Sequence, residues 1–224
     1  MINAAFFPCV LLLILWMIRF WELNFQMNMH WMGIYPRTFS GLLGILTEPL
    51  VHGSVKHLFS NSIPLLVLSW CLFYFYRDTG YVVFPILWIF SGIITWCIGR
   101  ESYHVGASGV IYGLAFFLFF SGIVRRYIPL MTISILVAFL YGSMVWYMMP
   151  AVETLEENIS WEGHLSGAIS GFVCAFAFRK YGPQKPEDPF EDEEEEGEED
   201  VEDQIDKQIP SQTPEEEALG QLRD

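Results

Sequence analysis

Apolar runs recur along the first 180 residues, each close to the length needed to cross a bilayer and each closed by basic or turn-forming residues. The first covers residues 4–21, apolar from Ala4 to Ile18 and ended by Arg19 with Phe20 and Trp21, an aromatic pair suited to a membrane interface. It lacks the basic start and the small-residue cleavage site of a secretory signal, so it reads as a retained span. The second runs from about His57 to Tyr76 and stops at Arg77 and Asp78, with Gly80 as the expected turn. The third, residues 81–98, ends at Gly99-Arg100-Glu101, and the fourth, residues 107–124, closes on Arg125-Arg126. The fifth runs from Pro129 to Met149 and is stopped by Pro150; the sixth covers residues 163–178 and ends at Arg179-Lys180. The pattern predicts an all-α polytopic membrane protein, a bundle of six transmembrane helices.

Two connections stand out. From Glu22 to about Val51, Asn24, Gln26, Asn28 and His30 alternate with Met27, Met29, Trp31 and Met32 until Tyr35-Pro36-Arg37 breaks the run. Residues 38–50 are then apolar but too few to cross a bilayer, which fits a partly submerged first outer loop. Between the fifth and sixth spans lies a short loop carrying Glu153, Glu156, Glu157 and Glu162.

Composition agrees: 53% hydrophobic and 17% aromatic residues exclude an ordinary soluble domain. The net charge of −14 misleads as an average, because residues 187–224 hold 18 of the 26 acidic side chains, leaving residues 1–186 at about +2. Residues 1–182 therefore read as the membrane domain and 183–224 as an acidic, disordered, cytoplasmic tail, too polar to order itself by burial. Cys9, Cys71, Cys97 and Cys174 fall singly in apolar segments and are expected to be small buried hydrophobes.

Orientation follows the basic residues. With a cytoplasmic N-terminus, Arg77, Arg125, Arg126, Arg179, Lys180 and Lys185 face inward, against Arg37, Lys56 and Arg100 outside. Spans two, four and six then all begin at the outer face, and their first turns carry the polar residues least suited to lipid: His57 and Asn61, Ser108, and His164. Such side chains turn toward a shared polar cavity. A hydroxyl and an imidazole at one depth make a nucleophile and its general base, a dyad, since serine attacks only once something takes its proton. Gly106 and Gly109 leave room for a carbonyl beside Ser108, whose N–H at a helix start is unspent. His57 and Asn61 share a helix face and are placed to donate with it to an oxyanion. Tyr112 lies one turn beyond Ser108, on the face that packs against the base. His52 is expected to brace the entry to span two, and His30 to sit at the interface; His104, four residues before Ser108, is the rival base.

With these residues assembled, the chain resembles the rhomboid family of intramembrane serine proteases, over roughly residues 4–180. The resemblance rests on His52 with His57-x-x-x-Asn61, on Gly106-x-Ser108-Gly109 with Tyr112, and on His164 followed by Gly167-x-x-x-Gly171-x-x-x-Ala175. It implies the basic six-helix bacterial type, in the inner (plasma) membrane, with both termini cytoplasmic and the active site toward the outer face. It implies Ser108 as nucleophile, His164 as base, an oxyanion hole of His57, Asn61 and the Ser108 N–H, and Tyr112 stacked on the base, with the fifth helix as a lateral gate. The implied partners are transmembrane protein substrates and membrane lipids, with no nucleic acid, no metal or organic cofactor, and no particular oligomeric state. Where bacterial relatives often carry Trp-Arg in the first outer loop, this chain has Tyr35-Pro36-Arg37. The readings from other classes are a catalytically inactive relative that binds transmembrane helices, and a channel or transporter. The second is disfavoured by the lack of charged side chains deep in the spans.

Overall fold

Residues 2–150 and 160–186 are described by the computed structural model; of the loop glutamates only Glu162 lies among them, and the tail from residue 187 onward lies outside. Seven α-helices follow in order: α1 (Ile2–Phe25), α2 (Gly44–Thr47), α3 (Val55–Phe75), α4 (Arg77–Ile98), α5 (Ser108–Arg125), α6 (Ile128–Tyr141) and α7 (Trp161–Ala177). No strand occurs among the described residues; one isolated antiparallel bridge joins Ile34 to His104. Ala4–Phe25, Val55–Phe75, Arg77–Ile98, Ser108–Arg125 and Ile128–Met148 are long and apolar enough to cross a membrane. With 17 residues, α7 lies at the lower limit of spanning length and is enclosed by α4 and α5. Together these six long helices form the expected polytopic bundle.

The helix ends depart from the expected ones for local reasons. Polar residues after Trp21 do not stop α1, because the helix satisfies them itself: Asn24 donates to the Phe20 carbonyl at 2.7 Å and Arg19 pairs with Glu22 at 3.0 Å. The break between α3 and α4 falls at Arg77, in the left-handed region at φ 42°, rather than at Gly80. Gly80 instead lies in the first turn of α4, where a Cβ would stand 3.2 Å from the Leu72 carbonyl oxygen, so it serves close helix approach. The fifth span is not α-helical throughout; Gly142–Met148 tighten into a 3₁₀ segment, two of whose carbonyls accept hydrogen bonds from Tyr112 and His164. Ser160 caps α7 by accepting the Gly163 N–H at 3.1 Å, so the helix starts at Trp161 and Glu162 is helical rather than in the loop.

At the centre stands α5, packed on α3, α4, α6 and most extensively α7. Leu58, Leu65, Leu68 and Leu72 of α3 meet Val110, Ile111, Leu114, Phe117 and Leu118 of α5 in the core. The outer faces are apolar too, as a lipid-facing surface requires: Phe6, Phe59 and Phe139 are all exposed. Only Cys174 of the four cysteines is buried; Cys9 and Cys97 lie on that outer surface, because nothing penalises a thiol against lipid.

Small residues seam α5 to α7. A Cβ on Gly167 would collide with the Gly109 carbonyl, and one on Gly171 with the Gly113 carbonyl, so the backbones touch without intervening side chains. Beyond the seam, buried Arg125 closes the far end: it donates to Ser121 Oγ at 2.9 Å, to the Pro183 carbonyl at 2.9 Å and to the Phe178 carbonyl at 2.6 Å, and its guanidinium lies 5.4 Å from the Tyr76 ring centroid. The first connection packs along α4, where Trp96 donates to the Thr38 carbonyl at 2.9 Å and Trp88, midway along the helix, to the Leu46 carbonyl at 3.2 Å.

Candidate active site

Ser108 opens α5 from a constrained turn. Gly106 has φ 115°, and a Cβ there would lie 2.6 Å from His57 Cε1, 2.9 Å from His57 Nε2 and 3.5 Å from Asn61 Nδ2. Only glycine fits both the torsion and the space. Its N–H donates to the Glu48 carbonyl at 3.0 Å, and the bridge between His104 and Ile34, at 2.9 and 3.0 Å, fixes the preceding residues to the first connection. Ser108 is half-buried, while Gly106, Ala107 and Gly109 are buried.

His57 and Asn61 come from the first two turns of α3, whose start is set by Ser54 accepting the His57 N–H at 3.0 Å. His52 does more than brace the entry. Its Nε2 accepts from Asn61 Nδ2 at 3.2 Å and from the Ala107 N–H at 3.4 Å, and its ring meets that of His57 edge to face at 5.1 Å. One imidazole thus orients an oxyanion-hole candidate and the peptide next to Ser108. Asn61 keeps a second N–H for another acceptor. Burial first, and then the neighbouring His57 and Arg19, hold the His52 pKa down to about 3, so it stays neutral and able to accept.

His164 lies in the first turn of α7 and is buried. Tyr112 stacks on it with ring centroids 4.3 Å apart and planes within 10°. The Tyr112 hydroxyl donates to the Met144 carbonyl at 2.8 Å, and His164 Nδ1 donates to the Tyr147 carbonyl at 2.9 Å. A carbonyl only accepts, so Nδ1 carries the proton and Nε2 is the basic nitrogen. A Cβ on Gly109 would lie 3.4 Å from the Gly163 carbonyl, which sets the turns carrying Ser108 and His164 side by side.

His104 stands apart from this group. Its Nδ1 lies 2.6 Å from Ser160 Oγ and its Nε2 3.0 Å from the Arg100 carbonyl, so both nitrogens are engaged away from Ser108. Sequence reasoning missed two contributors, the Tyr147 carbonyl and Ser160, and left in the loop the buried Glu162, whose Oε1 accepts the Arg100 N–H at 3.1 Å. Ser160 was legible as a cap, a hydroxyl three residues before an unpaired helix-start N–H. The carbonyl had no sequence signal, since every residue has one. Buried Glu48 also escaped notice; burial pushes its carboxyl up to about 8.

Two membrane helices thus meet backbone to backbone, one headed by a serine and the other by an imidazole stacked on a tyrosine. The sequence matches the Rhomboid domain over residues 40–181, more than half its length, and the chain belongs to the rhomboid family, a family of serine intramembrane proteases. It is similar to an uncharacterised protein of Mycobacterium tuberculosis, 38% identical over 151 residues, covering 64% of this chain and 62% of that one. An uncharacterised protein of Mycobacterium leprae is 39% identical over 142 residues, covering 60% of this chain and 55% of that one. A protein of Acanthamoeba polyphaga mimivirus, described as a rhomboid protein, is 29% identical over 179 residues, covering 75% of this chain and 88% of that one. The chain thus spans less than two thirds of the length of these mycobacterial relatives.

Proposed function

We propose that this chain is an intramembrane serine endopeptidase that cuts single-span membrane proteins within or near their transmembrane segment. The observation that carries the reading is the His164 ring itself, stacked on Tyr112 at 4.3 Å and bound through Nδ1 to Tyr147. That leaves Nε2 as the one basic position, at the head of a helix packed against the one Ser108 begins. In the reaction Nε2 takes the Ser108 proton as Oγ attacks the scissile carbonyl carbon. The oxyanion accepts from the Ser108 N–H, His57 and the free N–H of Asn61. Collapse breaks the C–N bond, the amine leaves with the proton held on His164, and an acyl-enzyme remains. Water, losing its proton to the same nitrogen, attacks the ester; the acid departs and Ser108 recovers its proton.

The basic-residue asymmetry supports a site toward the outer face of a plasma membrane, with cytoplasmic termini. Treatment of the purified full-length protein with a fluorophosphonate tests the reading. Labelling is expected, lost in Ser108→Ala and His164→Ala together with cleavage of a single-span reporter. Unchanged cleavage by Ser108→Ala would end it. An unlabelled protein that still binds transmembrane helices would be the catalytically inactive relative.

A further inference from the structure

We propose that His104 and Ser160, together with the Arg100–Glu162 pair, are positioning residues that fix the register between the nucleophile's helix and the base's helix. His104 stands four residues before Ser108, and Ser160 four residues before His164. A hydrogen bond joins the two at 2.6 Å, at matching offsets from the reacting residues.

The directions of the bonds form a circuit. The Gly163 N–H donates to Ser160 Oγ at 3.1 Å, the Ser160 hydroxyl donates to His104 Nδ1, and His104 Nε2–H donates to the Arg100 carbonyl at 3.0 Å. The Arg100 N–H donates in turn to Glu162 Oε1 at 3.1 Å, and its guanidinium lies 3.8 Å from Glu162 Oε2. Glu162 precedes Gly163, so the circuit closes on itself. It ties residues 100–104, which lead into the Gly106 turn, to residues 160–163, which lead into His164. The seam below holds the two helices together but is lined by glycines and carbonyls, which offer little to stop one helix sliding or rolling on the other. The circuit supplies directional bonds above the seam. Burial of His104 and Glu162 keeps water from competing for them. An imidazole is suited to this place because it accepts on one edge and donates on the opposite one, spanning a hydroxyl and a carbonyl at once.

The proposal rests on Ser108 and His164 as the reacting pair, and the test separates the two claims. Full-length wild type, His104→Ala, Ser160→Ala, Ser160→Thr and the His104→Ala/Ser160→Ala double variant are labelled with a fluorophosphonate over time, recording the rate constant and the fraction labelled at completion. Misplacing the dyad slows the reaction of every molecule: the single alanine variants are expected to lose roughly ten- to a hundred-fold in rate constant with the final fraction unchanged. Ser160→Thr keeps the hydroxyl and should restore most of the rate. The double variant should be no slower than the worse single, because one circuit is cut either way.

A merely structural role would lower the fraction and leave the rate constant alone; that result, wild-type rates in both single variants, or additive losses would overturn the proposal. Should His104→Ala fail to fold, Ser160→Ala and Glu162→Gln carry the same measurement, and failure of all three to fold would assign these contacts to the fold and overturn it likewise. Labelling that survives Ser108→Ala but not Ser160→Ala would make His104 and Ser160 a reacting pair, against it. An unlabelled wild type sinks the nucleophile assignment first, and this proposal with it.

Discussion

The Nδ1 proton of His164 is held by the main-chain carbonyl of Tyr147 at 2.9 Å, where a soluble serine hydrolase more commonly uses a carboxylate. A neutral acceptor orients the ring and fixes its tautomer without placing a second charge in the membrane, where an ionised carboxylate is costly. The orientation of the His164 ring is therefore shared between this carbonyl and the Tyr112 ring.

Tyr112 should divide accordingly. Tyr112→Phe keeps the stacked ring and loses the bond to Met144; it is expected to cost about 1 kcal/mol of stability and to retain most of kcat. Tyr112→Ala removes the ring as well and should lower kcat by roughly tenfold or more, with KM little changed. Steady-state cleavage of a single-span reporter checks both.

At the seam, Gly167→Ala places a methyl against the Gly109 carbonyl and should destabilise the fold by roughly 1–3 kcal/mol, seen as a lower Tm in detergent. Gly142→Ala is the control, since a Cβ there meets nothing within 4 Å. Its Tm should stay within a degree or two of wild type, taking a surface change as about ±0.5 kcal/mol.

Protonation of His52 opposes the fold. The native state holds its pKa near 3 against an ordinary 6.5, so the unfolded chain takes up a proton that the native one refuses. Its contribution is whole above about pH 6.5 and is lost as the pH falls through about 3. Wild-type Tm should decline across that window, and His52→Gln, which cannot titrate, should show a shallower decline. His52→Ala, which strands the N–H groups of Asn61 and Ala107, should cost about 1–3 kcal/mol at neutral pH and lower kcat.

Glu48 works in the opposite direction. Its native carboxyl titrates near 8 instead of 4.5, so the folded protein keeps a proton that the unfolded chain gives up, and stability present below about pH 4.5 drains away as the pH rises through 8. Glu48→Gln should match wild type at pH 4.5 and exceed its Tm at pH 8. Equal Tm values at pH 8 would show that the carboxyl is not penalised.

The six-helix plan was legible because a membrane span is a composition signal, continuous and long, that neighbours cannot override. The residues at the helix starts were legible for a related reason, since imidazole and carboxamide groups in lipid-depth segments demand an explanation. What escaped had no such contrast. The swap of Gly80 from turn to contact depends on Leu72, one helix away, and the 3₁₀ ending of the fifth span on hydroxyl and imidazole groups arriving from α5 and α7. His104 was visible as a rival base, but nothing local told whether it faced Ser108 or Ser160. Glu162 looked like one of several loop carboxylates until the helix was found to begin before it.

Arg125 fastens one extremity of the α5–α7 pair, as the glycine contacts join its middle. That pair is therefore closed to anything wider than a backbone contact along its length. On the proposed function, a polypeptide reaching Ser108 would enter from another flank, where carbonyls of the 3₁₀ stretch accept hydrogen bonds from Tyr112 and His164. Parting that flank would release the tyrosine hydroxyl and the imidazole in the same movement, so under that reading admission of a substrate and the poise of the base would be one event.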